Sequence, residues 1–171
     1  MSLDVTWFPW TMPGSMLGAA WLLDLVLGDP RRFPHPVRLI GLAASGLERA
    51  ARRLTSSPAG LVVAGAVMTA VVAGGAGALA LAGLYLAGLI HGLAAVGLGV
   101  VLAYFCLATR DLIDHVRPVA AALARGDLDG ARRELGKIVG RDTGALDETG
   151  VRRALIETVA ENLSDGVVGP L

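Results

Sequence analysis

The feature that most constrains this chain is a stretch from Leu54 to Thr109 that carries no charged side chain. As one continuous helix it would reach roughly 80 Å at about 1.5 Å per residue, far beyond a hydrocarbon core of about 30 Å. Two antiparallel spans are therefore expected between Arg53 and Arg110, with the turn near Gly83, Gly88, His91 and Gly92. Gly65, Gly74, Gly75, Gly77 and Gly83, set among alanines, provide small faces that let helices approach closely in lipid. The same composition would make a poor helix in water. A chain that is 54% hydrophobic and 18% charged is too apolar for an ordinary soluble domain and too poor in charge for disorder.

A first span is expected before this hairpin. No residue from Val5 to Leu23 is charged, and the apolar run continues past Asp24 to Leu27, close to the ~20 residues needed to cross. Pro9 and Pro13 confine regular helix to the stretch after Pro13, which leaves a tilted or partly embedded segment as the alternative. Trp7, Trp10 and Trp21 suit interfacial anchoring. The segment Met1 to Trp10 holds Asp4 and no Lys or Arg, unlike the basic start of a cleaved signal peptide, so this first apolar segment is expected to be retained.

The charges fix an orientation. All 15 Lys and Arg lie within Arg31–Arg53 or Arg110–Arg153, on one side of a two-span hairpin, and the excess of positive charge assigns that side to the cytoplasm. The N-terminus is then outside. The lone Cys106 sits in an apolar run; it supports no disulfide framework and reads as a small buried hydrophobe.

Beyond Arg110 the composition turns soluble. Ile113 to Ala124 reads as a helix, with Pro118 near its start or making a kink. Asp127 is a plausible N-cap for a second helix whose Leu128, Ala131, Leu135, Ile138 and Val139 share a face, closed by Gly140. Asp147 or Thr149 caps a third, in which Val151, Ala154, Leu155, Val159 and Leu163 recur at helical spacing. The segment Arg125–Arg141 also fits a generic helix–turn–helix interaction module. The fold class is thus an all-α integral membrane protein with about three transmembrane helices and a cytoplasmic set of short amphipathic helices. Its segments are 1–28 (first span), 29–58 (cytoplasmic basic loop and helix), 59–109 (two-span apolar hairpin) and 110–171 (cytoplasmic helical region).

Two polar constellations could carry chemistry. In the first, after the first span, Pro30, Pro34 and Pro36 stiffen a loop that presents Asp29, His35 and Arg38 at defined positions. Such a loop can clamp a phosphate while Asp29 holds a metal or an amine. By residue chemistry alone, a positive flank that merely ends a helix is the stronger reading. Asp24, an acid inside an apolar span, calls for a partner or a function, and a structural pairing with Arg31 or Arg32 stands slightly ahead. The second constellation is Arg141, Asp142 and Thr143, followed by Glu157, Glu161, Asn162 and Asp165. Acids spaced i, i+4 and i+8 stack on one face if the helix persists to Asp165; otherwise Asp165 and Gly166 form a turn beside it. Their mutual repulsion makes Mg²⁺ shared with substrate phosphates a reasonable compensator, while an ordinary Arg153–Glu157 surface pair serves equally well. His91 reads as a turn residue and His115 as a helix-surface residue.

At these two constellations the sequence resembles the CobD/CbiB family of adenosylcobinamide-phosphate synthases. Leu-Leu-Asp24-Leu-Val-Leu-Gly-Asp29-Pro with His35-Pro-Val-Arg38-Leu-Ile-Gly41 is similar to its N-terminal signature. Ile138-Val-Gly-Arg141-Asp-Thr143 and Glu157-Thr-Val-Ala-Glu161-Asn162-Leu-Ser-Asp165-Gly166-Val-Val-Gly-Pro170-Leu171 are similar to its central one. The resemblance runs from about Leu22 onward. It implies an integral membrane enzyme of cobalamin biosynthesis that joins adenosylcobyric acid to aminopropanol phosphate with consumption of ATP, giving adenosylcobinamide phosphate. It further implies Mg²⁺ and ATP as co-substrate, and a cell-membrane, multi-pass location with chemistry on the cytoplasmic face. Its expected partners are a corrinoid, an aminoalcohol phosphate and the lipid bilayer, with homo-oligomers or other cobalamin-pathway membrane proteins as further candidates and no nucleic acid. On that resemblance Asp29, His35, Asp142, Glu157 and Asn162 are assigned to catalysis. Arg38, Arg141, Thr143 and Gly166 are assigned to substrate binding, and Glu161 and Asp165 to metal. Family members continue past this signature with further spans, so the chain is expected to be a fragment, a truncated reading frame or one piece of a split protein. Two other classes compete: a non-catalytic regulatory or signalling membrane protein of the same superfamily, and a transporter fragment, which the lack of charge in the hairpin weakens.

Overall fold

The computed structural model describes residues 14–29, 36–140 and 142–170, and among these the regular structure is entirely helical. The elements are α1 (Gly14–Leu27), α2 (Pro36–Leu54), α3 (Pro58–Ile90), α4 (Gly92–Tyr104), α5 (Thr109–Ala124), α6 (Leu128–Leu135) and α7 (Glu148–Leu163), followed by a π-helical turn, Ser164–Val168. They form two compact units, one of α1, α5, α6, α7 and the π turn, the other of α2, α3 and α4.

In the second unit, α2 turns into α3 at Thr55–Ser57. Ser57 caps α3 by accepting the Gly60 N–H at 3.1 Å, and Pro58 occupies the first helical position, where its missing N–H costs nothing. The 33 residues of α3 extend about 50 Å, enough to span a bilayer with tilt. The hairpin turn falls at His91, whose extended backbone ends α3 and whose Nδ1 accepts the Leu93 N–H at 3.1 Å to start α4. Gly83 lies against Leu98, about equally far on either side of His91, as an antiparallel hairpin requires. The two arms are unequal, because α4 has only 13 residues, about 20 Å. Two helical stretches are long and apolar enough to cross a membrane, Pro58–Ile90 and Gly92–Ala124, the second interrupted by a turn at Phe105–Ala108. In the described part of the first apolar segment, α1 has 14 residues, fewer than either stretch.

In the first unit, α5, α6 and α7 enclose a core of Val119, Ala122, Leu123, Ala131, Leu135, Val151, Ala154 and Leu155, with Val116, Leu128, Ile138, Val139, Leu146 and Val159 packed around it. The helical spacing predicts most of these faces, and Asp127 and Asp147 are the N-caps, accepting the Gly130 and Gly150 N–H groups at 2.8 and 2.7 Å. Four expectations are corrected. The helix that contains Pro118 starts at Thr109 rather than Ile113, because Asp24 caps it from another helix. The second helix ends at Leu135 rather than Gly140, because Gly136 closes it and the chain continues in turns. Leu163 is exposed, since the π turn follows it and carries Val167 inward instead. Cys106 is also exposed, because it sits in the turn between α4 and α5 rather than within a helix face.

Candidate functional site

A cleft in the first unit has a volume of about 430 Å³. One wall is the start of α5, where Ala108, Asp111, Leu112 and His115 follow the i, i+3, i+4, i+7 spacing of a single helix face. The opposite wall is the end of α7 and the π turn, where Asn162, Asp165 and Gly166 are spaced i, i+3, i+4. Ile138 supplies further apolar surface. The walls are tied together by the Ala108 N–H, which donates to the Gly166 carbonyl at 2.9 Å. A Cβ at Gly166 would stand 3.3 Å from Ala108 Cβ, a tight contact that glycine avoids. The π turn is closed by Gly169 N–H donating to the Ser164 carbonyl at 2.7 Å.

Within the cleft, His115 Nδ1 lies 2.8 Å from the Asp111 carbonyl oxygen and 3.2 Å from its carboxylate. The arrangement offers two carboxylates, an imidazole and an amide beside an apolar surface. Such a set can accept hydrogen bonds from an ammonium group and take up a proton from it.

The start of α5 is held from α1. Asp24 is 2% exposed, and its Oδ2 accepts the N–H groups of Thr109 at 2.7 Å and Arg110 at 3.3 Å. Its described partners are therefore the free amides of a helix start; the pairing with Arg31 or Arg32 expected from the sequence falls on residues outside the described ones. Arg110 adds Nη1 to the Leu25 carbonyl at 3.0 Å and Nε to Asp114 at 2.9 Å. Among the described residues one buried side-chain oxygen has no hydrogen-bond partner, the hydroxyl of Thr109.

The other sequence candidates fall as follows. Asn162, Asp165 and Gly166 line the cleft, whereas Glu157 and Glu161 are exposed on α7 and do not. Asp142 is exposed and accepts the Gly144 N–H at 2.9 Å. Thr143 is buried, and its hydroxyl donates to the Arg132 carbonyl at 2.9 Å. Arg132 in turn donates from Nε to the Leu146 carbonyl at 2.7 Å, so this pair fastens the segment between α6 and α7. Asp29 is exposed after α1, and Arg38 lies on α2 in the other unit. His35 and Arg141 lie outside the described residues. His115 reads as a helix-surface residue in the sequence, where Asp111 is not singled out; their common spacing with Ala108 and Leu112 is the signal that places them on one wall.

Among the described residues no group of three or more His, Cys, Asp and Glu side chains is placed to hold a metal ion. The cleft does not fit a dedicated metal cage. A magnesium ion carried by nucleotide phosphates asks less, one or two carboxylates at most.

A protein whose described residues are all helical in their regular structure, with apolar stretches of membrane length and a polar cleft, is the class that these features define. The chain belongs to the CobD/CbiB protein family, whose match covers residues 17–171. It is 45% identical over 161 residues to the cobalamin biosynthesis protein CobD of Geobacter metallireducens, covering 94% of this chain and 50% of that protein. It is 44% identical to CobD of Citrobacter koseri and 40% identical to the cobalamin biosynthesis protein CbiB of Salmonella typhimurium, in each case over 89% of this chain and 48% of the relative. The chain thus spans about half the length of the curated relatives it matches. No solved structure matches it.

Proposed function

We propose that this chain is the N-terminal and central part of a multi-pass membrane enzyme of cobalamin biosynthesis. The proposed reaction is ATP-dependent amide formation between adenosylcobyric acid and aminopropanol phosphate. The observation that carries the reading is the cleft in which Asn162, Asp165 and Gly166 of the central signature face Asp111 and His115.

In the proposed reaction the corrinoid carboxylate takes the terminal phosphoryl group of Mg-ATP, releasing ADP, and the amine then attacks the acyl carbon and expels phosphate. The amine reaches the cleft as an ammonium and must lose a proton before it attacks. Asp111 and Asp165 hold the ammonium electrostatically, and the His115 imidazole takes the proton. Asn162 accepts a hydrogen bond from the amine end of the substrate. Arg38 and Arg141 remain proposed partners of the anionic groups, with Mg²⁺ arriving on the nucleotide phosphates.

The test is to purify the protein with any sequence that follows Leu171 in its reading frame and to supply adenosylcobyric acid, aminopropanol phosphate and Mg-ATP. Adenosylcobinamide phosphate should form with matching release of ADP. No amide product and no substrate-dependent ATP consumption would overturn the reading. The proposed membrane orientation is checked separately, by replacing Cys106 with serine and placing single cysteines at Ser57 and Gly130. Both should resist an impermeant thiol reagent added outside intact cells, and labelling of either rejects the orientation.

A further inference from the structure

None of the proposed steps uses the buried carboxylate of Asp24, yet its geometry ties it to the cleft. The first amides of a helix have no acceptor within the helix, and Ala108, which precedes α5, has no side chain that could serve. Asp24 supplies the missing acceptor from α1, binding the amides of Thr109 and Arg110 through one oxygen. The carboxylate also faces the positive end of the α5 dipole. Gly28 makes the close approach possible. Its φ of +61° lies in the left-handed region that favours glycine, and a Cβ there would stand 2.9 Å from Arg110 Cγ.

The wall of the cleft and the folded core draw on different parts of α5. Ala108 immediately precedes α5, and Asp111 and Leu112 lie on its first turn, directly beside the Asp24 contact, with His115 on the next. The core residues Val119, Ala122 and Leu123 lie further along. We infer that Asp24 is a positioning residue: by capping α5 from another helix it sets where Asp111 and His115 stand in the cleft. The inference rests on the function proposed above, since it assigns Asp24 to the geometry of that same site.

The test compares the wild-type protein, with its full reading frame, with Asp24→Ala and Asp24→Asn. Amide hydrogen exchange and the dependence of rate on aminoalcohol phosphate are both measured. In Asp24→Ala, exchange at Thr109 and Arg110 should quicken about tenfold or more, the scale of a lost cap, while α6 and α7 exchange as in the wild type. KM for the aminoalcohol phosphate should rise in parallel, with a smaller change in kcat. Asp24→Asn keeps an acceptor oxygen and should recover most of both losses. Unchanged exchange at Thr109 and Arg110, or quickened exchange with an unchanged KM, overturns the inference. If Asp24→Ala does not fold, Asp24→Glu decides, because it keeps the charge and misplaces the oxygen. It should also quicken exchange and raise KM, and wild-type behaviour in both overturns the inference. A wild-type protein without turnover sinks the enzymatic reading alone, because the exchange pattern still decides whether Asp24 holds the start of α5.

Discussion

Ala108 donates its backbone N–H to the carbonyl of Gly166 at 2.9 Å, joining the residue before α5 to the turn after α7. The bond matters because these two segments are the opposing walls of one cleft. It also explains a demand on the sequence at Gly166, where a methyl group would come within 3.3 Å of Ala108 Cβ. Gly166→Ala is therefore expected to part the walls, costing about 1–3 kcal/mol as overpacking does and lowering turnover by about tenfold or more through misplacement. Thermal melting and steady-state rates check this. Adding Ala108→Gly to the variant should recover part of both losses, and a double variant no better than the single one rules out the contact as the cause.

Thr109 has a buried hydroxyl with no partner among the described residues. An unpaired buried polar group costs about 1–3 kcal/mol, whereas an apolar group of the same shape does not. Thr109→Val should accordingly leave stability unchanged or raise it, because the backbone N–H that Asp24 binds is retained. A marked loss of stability in chemical denaturation would mean that the hydroxyl has a partner in the folded protein.

The side chains of Asp127 and Asp147 cap α6 and α7. Alanine at either should cost about 1 kcal/mol. The two caps serve different helices and share no partner, so the double variant should lose close to the sum. Denaturation midpoints of the four proteins test both statements.

Leu135 is fully buried where α5, α6 and α7 meet. Leu135→Ala should cost about 2–5 kcal/mol, the range for a large-to-small change in a core. Truncating Leu163, which is 43% exposed, by contrast removes less buried surface than truncating Leu135 and should cost correspondingly less. Equal losses at both positions would contradict the assigned faces.

The sequence alone determined whatever depends on near neighbours along the chain. A charge-free stretch too long for one crossing demanded a hairpin, and His91 could end one helix and begin the next using only its own backbone and ring. Apolar spacing marked Val151, Ala154 and Leu155 as one face, and Asp127 and Asp147 could be read as caps because each acceptor lies three residues before its donor. Only the tertiary structure decided contacts between residues remote in sequence. Asp24 was legible as an anomaly, but its partners lie 85 and 86 residues away, on a helix whose own start offers no cap. Thr143 turns inward because Arg132 offers it a carbonyl across a loop, and Asp111 and His115 become a wall because Gly166 draws α7 against Ala108. Helical periodicity says which side chains share a face. Which surface that face meets is set by packing, and packing between distant segments leaves no periodic trace in either one.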